Sequence, residues 1–212
     1  MIVIFNGPPG SGKDEGAIIF KMLGSVHLSF KEELFKATVK EFGVTLEWFM
    51  KDYDNREIKE RPQVELRGKS RREALIYTSE VKIKPKYGKR FFGDKVAEAI
   101  DPRGNYVLSD GGFTEEALPI IEKVGIENVL IVRLFREGFS FEGDSRRYLN
   151  GKIRQTYTTG KKSQVDNDYV LSHKLDSPIY DMHNNGDLED FHNKLILLHS
   201  DIVEKRKRGE FL

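Results

Sequence analysis

A chain of 212 residues is long enough for one sizeable α/β domain with an insertion and too short for two independent ones. Charged residues make up 33% yet nearly cancel to a net charge of +1, so any nucleic-acid contact must come from local basic patches. The absence of cysteine excludes disulfides, thiolate catalysis and cysteine-based zinc sites, and no run approaches the ~20 apolar residues that a membrane-spanning helix needs.

Taken in chain order, Ile2-Val3-Ile4-Phe5 reads as a buried strand, followed by Gly7-Pro8-Pro9-Gly10-Ser11-Gly12-Lys13-Asp14. This is the G-x-x-x-x-G-K spacing of a phosphate-binding loop, with Asp14 where Ser or Thr is usual. Glycines at 7, 10 and 12 open φ values closed to other residues, so successive N–H groups can turn inward toward a phosphate. Glu15 to Leu23 is expected to be helical, with Ile18, Ile19, Met22 and Leu23 as its apolar stripe and Gly24 as its C-cap. Val26-His27-Leu28 is a short strand. Ser29-Phe30-Lys31-Glu32 is a capping-box pattern opening a helix that carries Leu34, Phe35, Val39 and Phe42 up to Gly43. Thr45 to Tyr53 gives a further short helix. Residues 54–69 are strongly charged, are broken by Pro62 and read as a mobile connection. Ser70-Arg71-Arg72-Glu73 is a second capping box, leading a helix through Tyr77, and another helix spans Lys89 to Ile100.

Tyr106-Val107-Leu108-Ser109 returns to strand and ends in Asp110-Gly111-Gly112. Glu115 to Val124 is helical despite Pro119, and Val129 to Leu134 is the strongest buried-strand pattern in the chain. Residues 136–176 are polar and irregular, and Pro178 to Asp181 is a last strand. Asn184-Asn185-Gly186-Asp187 then turns into an amphipathic helix bearing Leu188, Phe191, Leu195, Leu198 and Ile202. Strands alternating with helices predict an α/β fold, a parallel sheet of about five strands covered on both faces. The reading is of a single domain over residues 1–212. A helical acceptor insertion near 29–100 stands beside the carboxyl ends of the strands, where such sheets bind ligands, and a lid lies near 136–163. The first apolar run is already a strand rather than a signal peptide, so a soluble cytoplasmic protein with no membrane partner is expected.

Lys13 is placed to reach between the β- and γ-phosphates of ATP and to offset charge as the γ-phosphoryl group leaves, helped by the positive end of its helix. Asp14 either offers Mg²⁺ a hard oxygen ligand or simply favours the helix N-terminus. Asp110, at the end of a strand, suits a metal-linked carboxylate or a catalytic base, against the plainer role of turn former. Arg136, Arg146 and Arg147, with Arg133 before them, bracket a glycine-bounded segment that suits a closing lid with guanidinium groups to clamp phosphoryl charge. Arg67, Arg71 and Arg72 are candidates for binding the acceptor's phosphate. Lys82, Lys84, Lys86, Lys89 and Arg90 surround Tyr87, Phe91 and Phe92, a pattern able to hold a nucleic-acid backbone, though more often a solvated face over core aromatics. The five histidines show no ligand spacing and are read as structural or surface residues.

These residues resemble the P-loop nucleotide kinases and, within them, the phage deoxynucleoside monophosphate kinase group. The likeness rests on Gly7 to Asp14 with its Gly-Lys-Asp ending, on Ser109-Asp110, on Val132-Arg133, and on Asn185-Gly186-Asp187-Leu188-Glu189 entering the last helix. It covers both ends of the chain and the insertion poorly. The resemblance implies a P-loop NTPase fold of the nucleotide-kinase kind with ATP and Mg²⁺ as cofactors. It makes Gly7, Pro8, Pro9, Gly10, Ser11, Gly12, Lys13 and Asp14 the phosphate cradle, and it sets Asn185 and Gly186 beside the adenine. Members of that group tend to carry Asp-x-Arg after the third strand, whereas Gly111 and Gly112 follow Asp110 here. This departure turns the expectation toward a related set, the phage 5-hydroxymethyluracil DNA kinases. Their acceptor is an alcohol, which needs a carboxylate to take its proton, and in duplex DNA it needs flipping or a wide cleft. The expectation is an ATP-dependent kinase of 5-hydroxymethyl-deoxyuridine in phage DNA, working in the host cytoplasm. The alternatives are a kinase of free deoxynucleoside monophosphates and an ATP-binding accessory protein without kinase activity.

Overall fold

Alternate residues of the first strand, β1 (Ile2–Asn6), face opposite sides of a sheet and divide the molecule into two layers. The computed structural model describes residues 1–53, 55–149 and 179–209. After β1 come α1 (Lys13–Met22), β2 (Val26–Leu28), α2 (Lys31–Phe42), α3 (Leu46–Met50), α4 (Arg56–Glu60), α5 (Arg71–Tyr77), α6 (Lys84–Tyr87) and α7 (Phe91–Ala99). The second half holds β3 (Tyr106–Gly111), α8 (Thr114–Val124), β4 (Val129–Phe135), β5 (Ile179–His183) and α9 (Leu188–Lys207). The sheet order is β2-β3-β1-β4-β5 and every pairing is parallel. Ile2, Val3 and Ile4 stand opposite Tyr106, Val107 and Leu108 on one side and Val129, Leu130 and Ile131 on the other.

Ile2 and Ile4 pack with Leu108, Val129 and Ile131 against Phe92, Val96 and Ala97 of α7 and Ala117 and Ile120 of α8. Val3 and Phe5 pack with Val107, Leu130 and Val132 against Ala17, Ile19 and Phe20 of α1 and Phe191, Leu195 and Leu198 of α9. Each such aliphatic or aromatic side chain contributes about 1.5–3 kcal/mol on leaving water, which fixes the strand register by facing. A third core, made of Phe42, Phe49, Tyr53, Leu66, Ala74 and Leu75, lies wholly among the helices between β2 and α6. The result is the α/β arrangement expected from the alternation of strands and helices, a parallel five-stranded sheet with helices on both faces.

Several local expectations need correction. Ile18, Met22 and Leu23 of the anticipated stripe are exposed, and α1 instead buries Gly16, Ala17, Ile19 and Phe20. The helix lies so close to the sheet that a Cβ on Gly16 would come within 2.8 Å of the Phe5 ring, so small residues face inward and large ones outward. Leu188 at the start of α9 is likewise exposed. The segment read as a mobile connection holds α4 and a 3₁₀ turn, Val64–Leu66, that buries Leu66 completely. Residues 78–87, left without an element, continue from α5 through a π-helical stretch, Thr78–Ile83, into α6. The capping box at Ser70 is present in full, with reciprocal bonds between Ser70 and Glu73. The one at Ser29 is not, for a reason that belongs to the site.

Candidate active site

The loop between β1 and α1 is held from three directions. Ser11 N–H donates to Pro8 O at 3.2 Å, the buried Asn184 amide donates to Ser11 O at 2.9 Å, and the Arg136 guanidinium donates to Gly10 O at 3.0 Å. Gly10 and Gly12 take positive φ, 78° and 104°, as the loop geometry requires. Gly7 does not, and its reason is space: a Cβ there would lie 2.5 Å from Ser11 Oγ and 2.9 Å from Leu134 O. Ser11 Oγ is buried without a hydrogen-bond partner among the described residues, an orphaned donor in the floor of the loop. Lys13 Nζ folds back onto Pro8 O at 2.7 Å. Burial, then the charges of Arg146 and Lys31, lower the Lys13 ammonium to about 8, with Asp14 and Asp144 partly offsetting them. Asp14 stands exposed in the first turn of α1. No group of three metal-binding side chains occurs among the described residues, so a Mg²⁺ ion at Asp14 would draw its other oxygens from phosphate and water, as this ion commonly does.

Asp110 lies within β3, not after it, and is almost fully buried. Its Oδ2 accepts from Ser29 Oγ–H at 2.7 Å and Lys31 N–H at 3.1 Å, and its Oδ1 accepts from Phe30 N–H at 3.3 Å. The carboxylate from the sheet therefore satisfies the N-terminus of α2, and Ser29 turns to it instead of completing a capping box with Glu32. Gly111 and Gly112 are close-approach residues. A Cβ on Gly111 would meet Ile4 Cγ2 at 2.5 Å, and one on Gly112 would meet Arg146 Cδ and Cγ at 2.7 Å. The aliphatic stem of Arg146 thus crosses Gly112, and against burial the hydrogen bonds and charge of Asp144, and then the charge of Asp110, favour its cation. Its Nε and Nη2 grip Asp144 at 3.0 and 2.6 Å. Burial opposes ionisation of Asp144, yet the hydrogen bonds from Arg146 win and hold its carboxyl down at about 2.

Asp110 and Arg146 open onto a cavity of about 190 Å³ lined also by Phe30, Lys31, Tyr53, Lys59, Arg72, Lys84, Phe92, Phe113 and Glu116. An adjoining cleft of about 560 Å³ shares Arg72, Lys84, Phe113 and Glu116 and adds Lys89 and Glu115. Of the three arginines expected to meet an acceptor, only Arg72 lines this space. Arg71 is buried, its guanidinium donating to Lys51 O and, at 3.2 Å, to Trp48 O, so it braces the third core. Arg67 donates to Glu41 O at 3.0 Å and covers the Phe42 ring outside the cavity.

The lid arginines also separate. Arg136 lies over Phe139, whose ring covers Gly10, so both sit on the loop between β1 and α1. Arg146 is in the cavity. Arg147 is exposed and meets the site through its backbone, its carbonyl accepting from the Asn6 amide at 3.0 Å. Leu149 N–H donates to Asn6 Oδ1 at 2.7 Å, so residues 147–149 are fastened to the sheet; the remainder of the expected lid, 150–163, lies outside the described residues. Arg133 is paired across strands with Asp181 at 2.6 Å. Asn185 exchanges two hydrogen bonds with Glu137, at 2.9 and 3.0 Å, joining its loop to the turn after β4, and Gly186 packs on Asp190. Lys31, Asn184 and Glu116 were not singled out from sequence as site residues, and Lys84 was read only as part of a basic patch. For Glu116 the signal was spacing: it falls four residues before the buried Ile120, on the inner face of α8.

No family model matches this sequence, and no curated protein matches it. Among solved structures the chain is similar to shikimate kinase from Aquifex aeolicus, at 13% identity and a TM-score of 0.40, over 95% of this chain and 98% of that one.

Proposed function

We propose that this chain is an ATP-dependent phosphotransferase whose acceptor is a free deoxynucleoside monophosphate bound in the cavity between α2, α5–α6 and α8. The observation that carries the reading is geometric: Lys31 and Arg146 line the cavity beside Asp110, and Lys13 stands at the end of the glycine loop, buried and under the charge of Arg146 and, less, of Lys31. Three cations so placed want an anion between them, and a phosphoryl group in flight is one. The orphaned Ser11 hydroxyl and the glycine-lined loop fit a triphosphate. Asp14 would hold Mg²⁺, which when bound neutralises charge between the β- and γ-phosphates. An acceptor phosphate oxygen attacks the γ-phosphorus, the bond to the β–γ bridging oxygen breaks, and ADP leaves. Lys13 and Arg146 hold the equatorial oxygens, while Asp110 fixes the start of α2 and so the position of Lys31. Arg72 and Lys84 face the acceptor.

The arginine absent after Asp110 has a substitute in Arg146, which reaches the same neighbourhood across Gly112. That restores the case for a phosphate acceptor. The case for DNA leaned on residues 82–92, where Lys82 pairs with Glu41 and Arg90 with Glu122, where Lys84 lines the cavity, and where Phe91 and Phe92 pack into the sheet's core. The second reading, transfer to a hydroxymethylated base in DNA, keeps one supporting observation: Asp110 lines the cavity and could take an alcohol's proton. Incubation with γ-labelled ATP and either the four deoxynucleoside monophosphates or hydroxymethyluracil-containing DNA separates the readings. Label in a free diphosphate is expected; label confined to DNA selects the second reading, and ATP binding with no transfer selects an accessory protein.

A further inference from the structure

Glu116 is the one buried acid in the cavity that nothing satisfies. It is 7% exposed, lines both the cavity and the adjoining cleft, and its carboxyl has no hydrogen bond or ion pair among the described residues. Its backbone is locked, because Gly93 of α7 packs so tightly that a Cβ there would lie 2.4 Å from Glu116 O. A buried, unpaired carboxyl lowers stability, and a leucine of similar shape would serve the fold better. Groups of this kind persist where a ligand completes them. Phe30, Phe92 and Phe113 provide apolar ring faces around it, and Arg72 and Lys84 provide cations for a phosphate.

We propose that Glu116 reads the acceptor: one carboxyl oxygen donates and the other accepts against the paired donor–acceptor edge of a pyrimidine ring lying among those aromatic side chains. This rests on the phosphotransferase reading of the same cavity and adds its specificity. A planar ring is called for by the aromatic walls, and N3 with the C4 substituent of a pyrimidine supplies the paired edge. Burial first, and then the charge of Asp110, push the Glu116 carboxyl up to about 8, against the opposing pull of Lys84 and Lys31, so near neutral pH it carries the proton it must donate. Ionised, it would offer two acceptors and mismatch that edge.

The test is equilibrium binding of thymidine and deoxycytidine monophosphates, and of deoxyribose 5-phosphate as the probe lacking a base, followed by kinetics with ATP. The Glu116→Leu variant is expected to weaken pyrimidine nucleotide binding and raise its KM by about 10- to 100-fold, with kcat and deoxyribose 5-phosphate binding little changed. Glu116→Gln keeps a donor and an acceptor side by side and is expected to rescue binding to within about 3-fold of wild type. The affinity of wild type should decline above pH 8 while that of the Gln variant does not. Unchanged pyrimidine binding in the folded Leu variant, or a Gln variant as damaged as Leu, overturns the proposal. So does a wild-type protein that binds no pyrimidine nucleotide, even if it phosphorylates something else. If binding depends on Glu116 but no phosphate moves, the specificity stands and the kinase reading falls.

Discussion

Replacing Asp110 with Asn tests whether the carboxylate on β3 holds the insertion to the sheet. An Asn can keep one oxygen facing Ser29 Oγ–H and Lys31 N–H, but its NH₂ then faces Phe30 N–H, donor against donor. The two retained bonds lose their charge assistance, about 1 kcal/mol each, and the stranded buried N–H costs about 1–3 kcal/mol. Loss of an anion at the start of α2 adds about 0.3–1 kcal/mol. Since neighbouring terms do not add fully and repulsion of Glu116 is relieved, a net loss of about 3 kcal/mol is expected, or about 6–12 °C in Tm for a domain of this size. Ser29→Ala removes only one of the three donors and should cost about 1 kcal/mol, with kcat little changed. Thermal unfolding followed by circular dichroism, alongside turnover with the preferred acceptor, measures both. A Tm for Asp110→Asn within 2 °C of wild type would refute the reasoning, as would a Ser29→Ala variant that loses as much stability as Asp110→Asn.

Three further outcomes follow from the same geometry. Because burial and then Arg146 lower Lys13 to about 8, the triphosphate's charge should pull a proton onto it, so calorimetry near pH 8 in buffers of different ionisation heat should register proton uptake and an ATP affinity that falls as pH rises further. For Glu116 the sign is opposite to the usual carboxylate. The folded state keeps a proton between the ordinary 4.5 and about 8 that the unfolded chain has released, so stability falls as pH rises across that window, and Glu116→Gln should flatten the fall in a Tm-against-pH series. Arg71→Leu strands two carbonyls in the third core and should lower Tm by several degrees with acceptor KM unchanged, whereas Arg72→Leu should raise acceptor KM and leave Tm nearly alone; steady-state kinetics and melting curves check the pair.

The sheet and the glycine-rich loop after β1 were legible because their signals are local. An apolar strand run and a glycine spacing each declare themselves within a few residues, and the full capping box at Ser70 did the same. What stayed hidden depends on what comes near in space. Gly112 reads as a turn glycine until Arg146 is seen crossing it, and Ser29 reads as a cap until Asp110 arrives from β3. Arg71 and Arg72 are adjacent and chemically alike, yet the turn of α5 sends one into a core and the other into the cavity. Large apolar residues misled for α1, where proximity to the sheet admits Gly16 and Ala17 and leaves Ile18 and Met22 outside. Glu116 passed unremarked inside the helix expected from Glu115, and only its burial separates it from that neighbour.

The most direct measurement is transfer of the γ-phosphoryl group itself, with purified wild type and Lys13→Met compared over the four deoxynucleoside monophosphates in the presence of Mg²⁺ and labelled ATP. Label appearing in a nucleoside diphosphate with wild type, and falling by at least about 100-fold with Lys13→Met, is the expected result. Transfer that survives loss of the Lys13 ammonium undiminished, or wild-type protein that binds ATP and passes its phosphate to no acceptor, would contradict it.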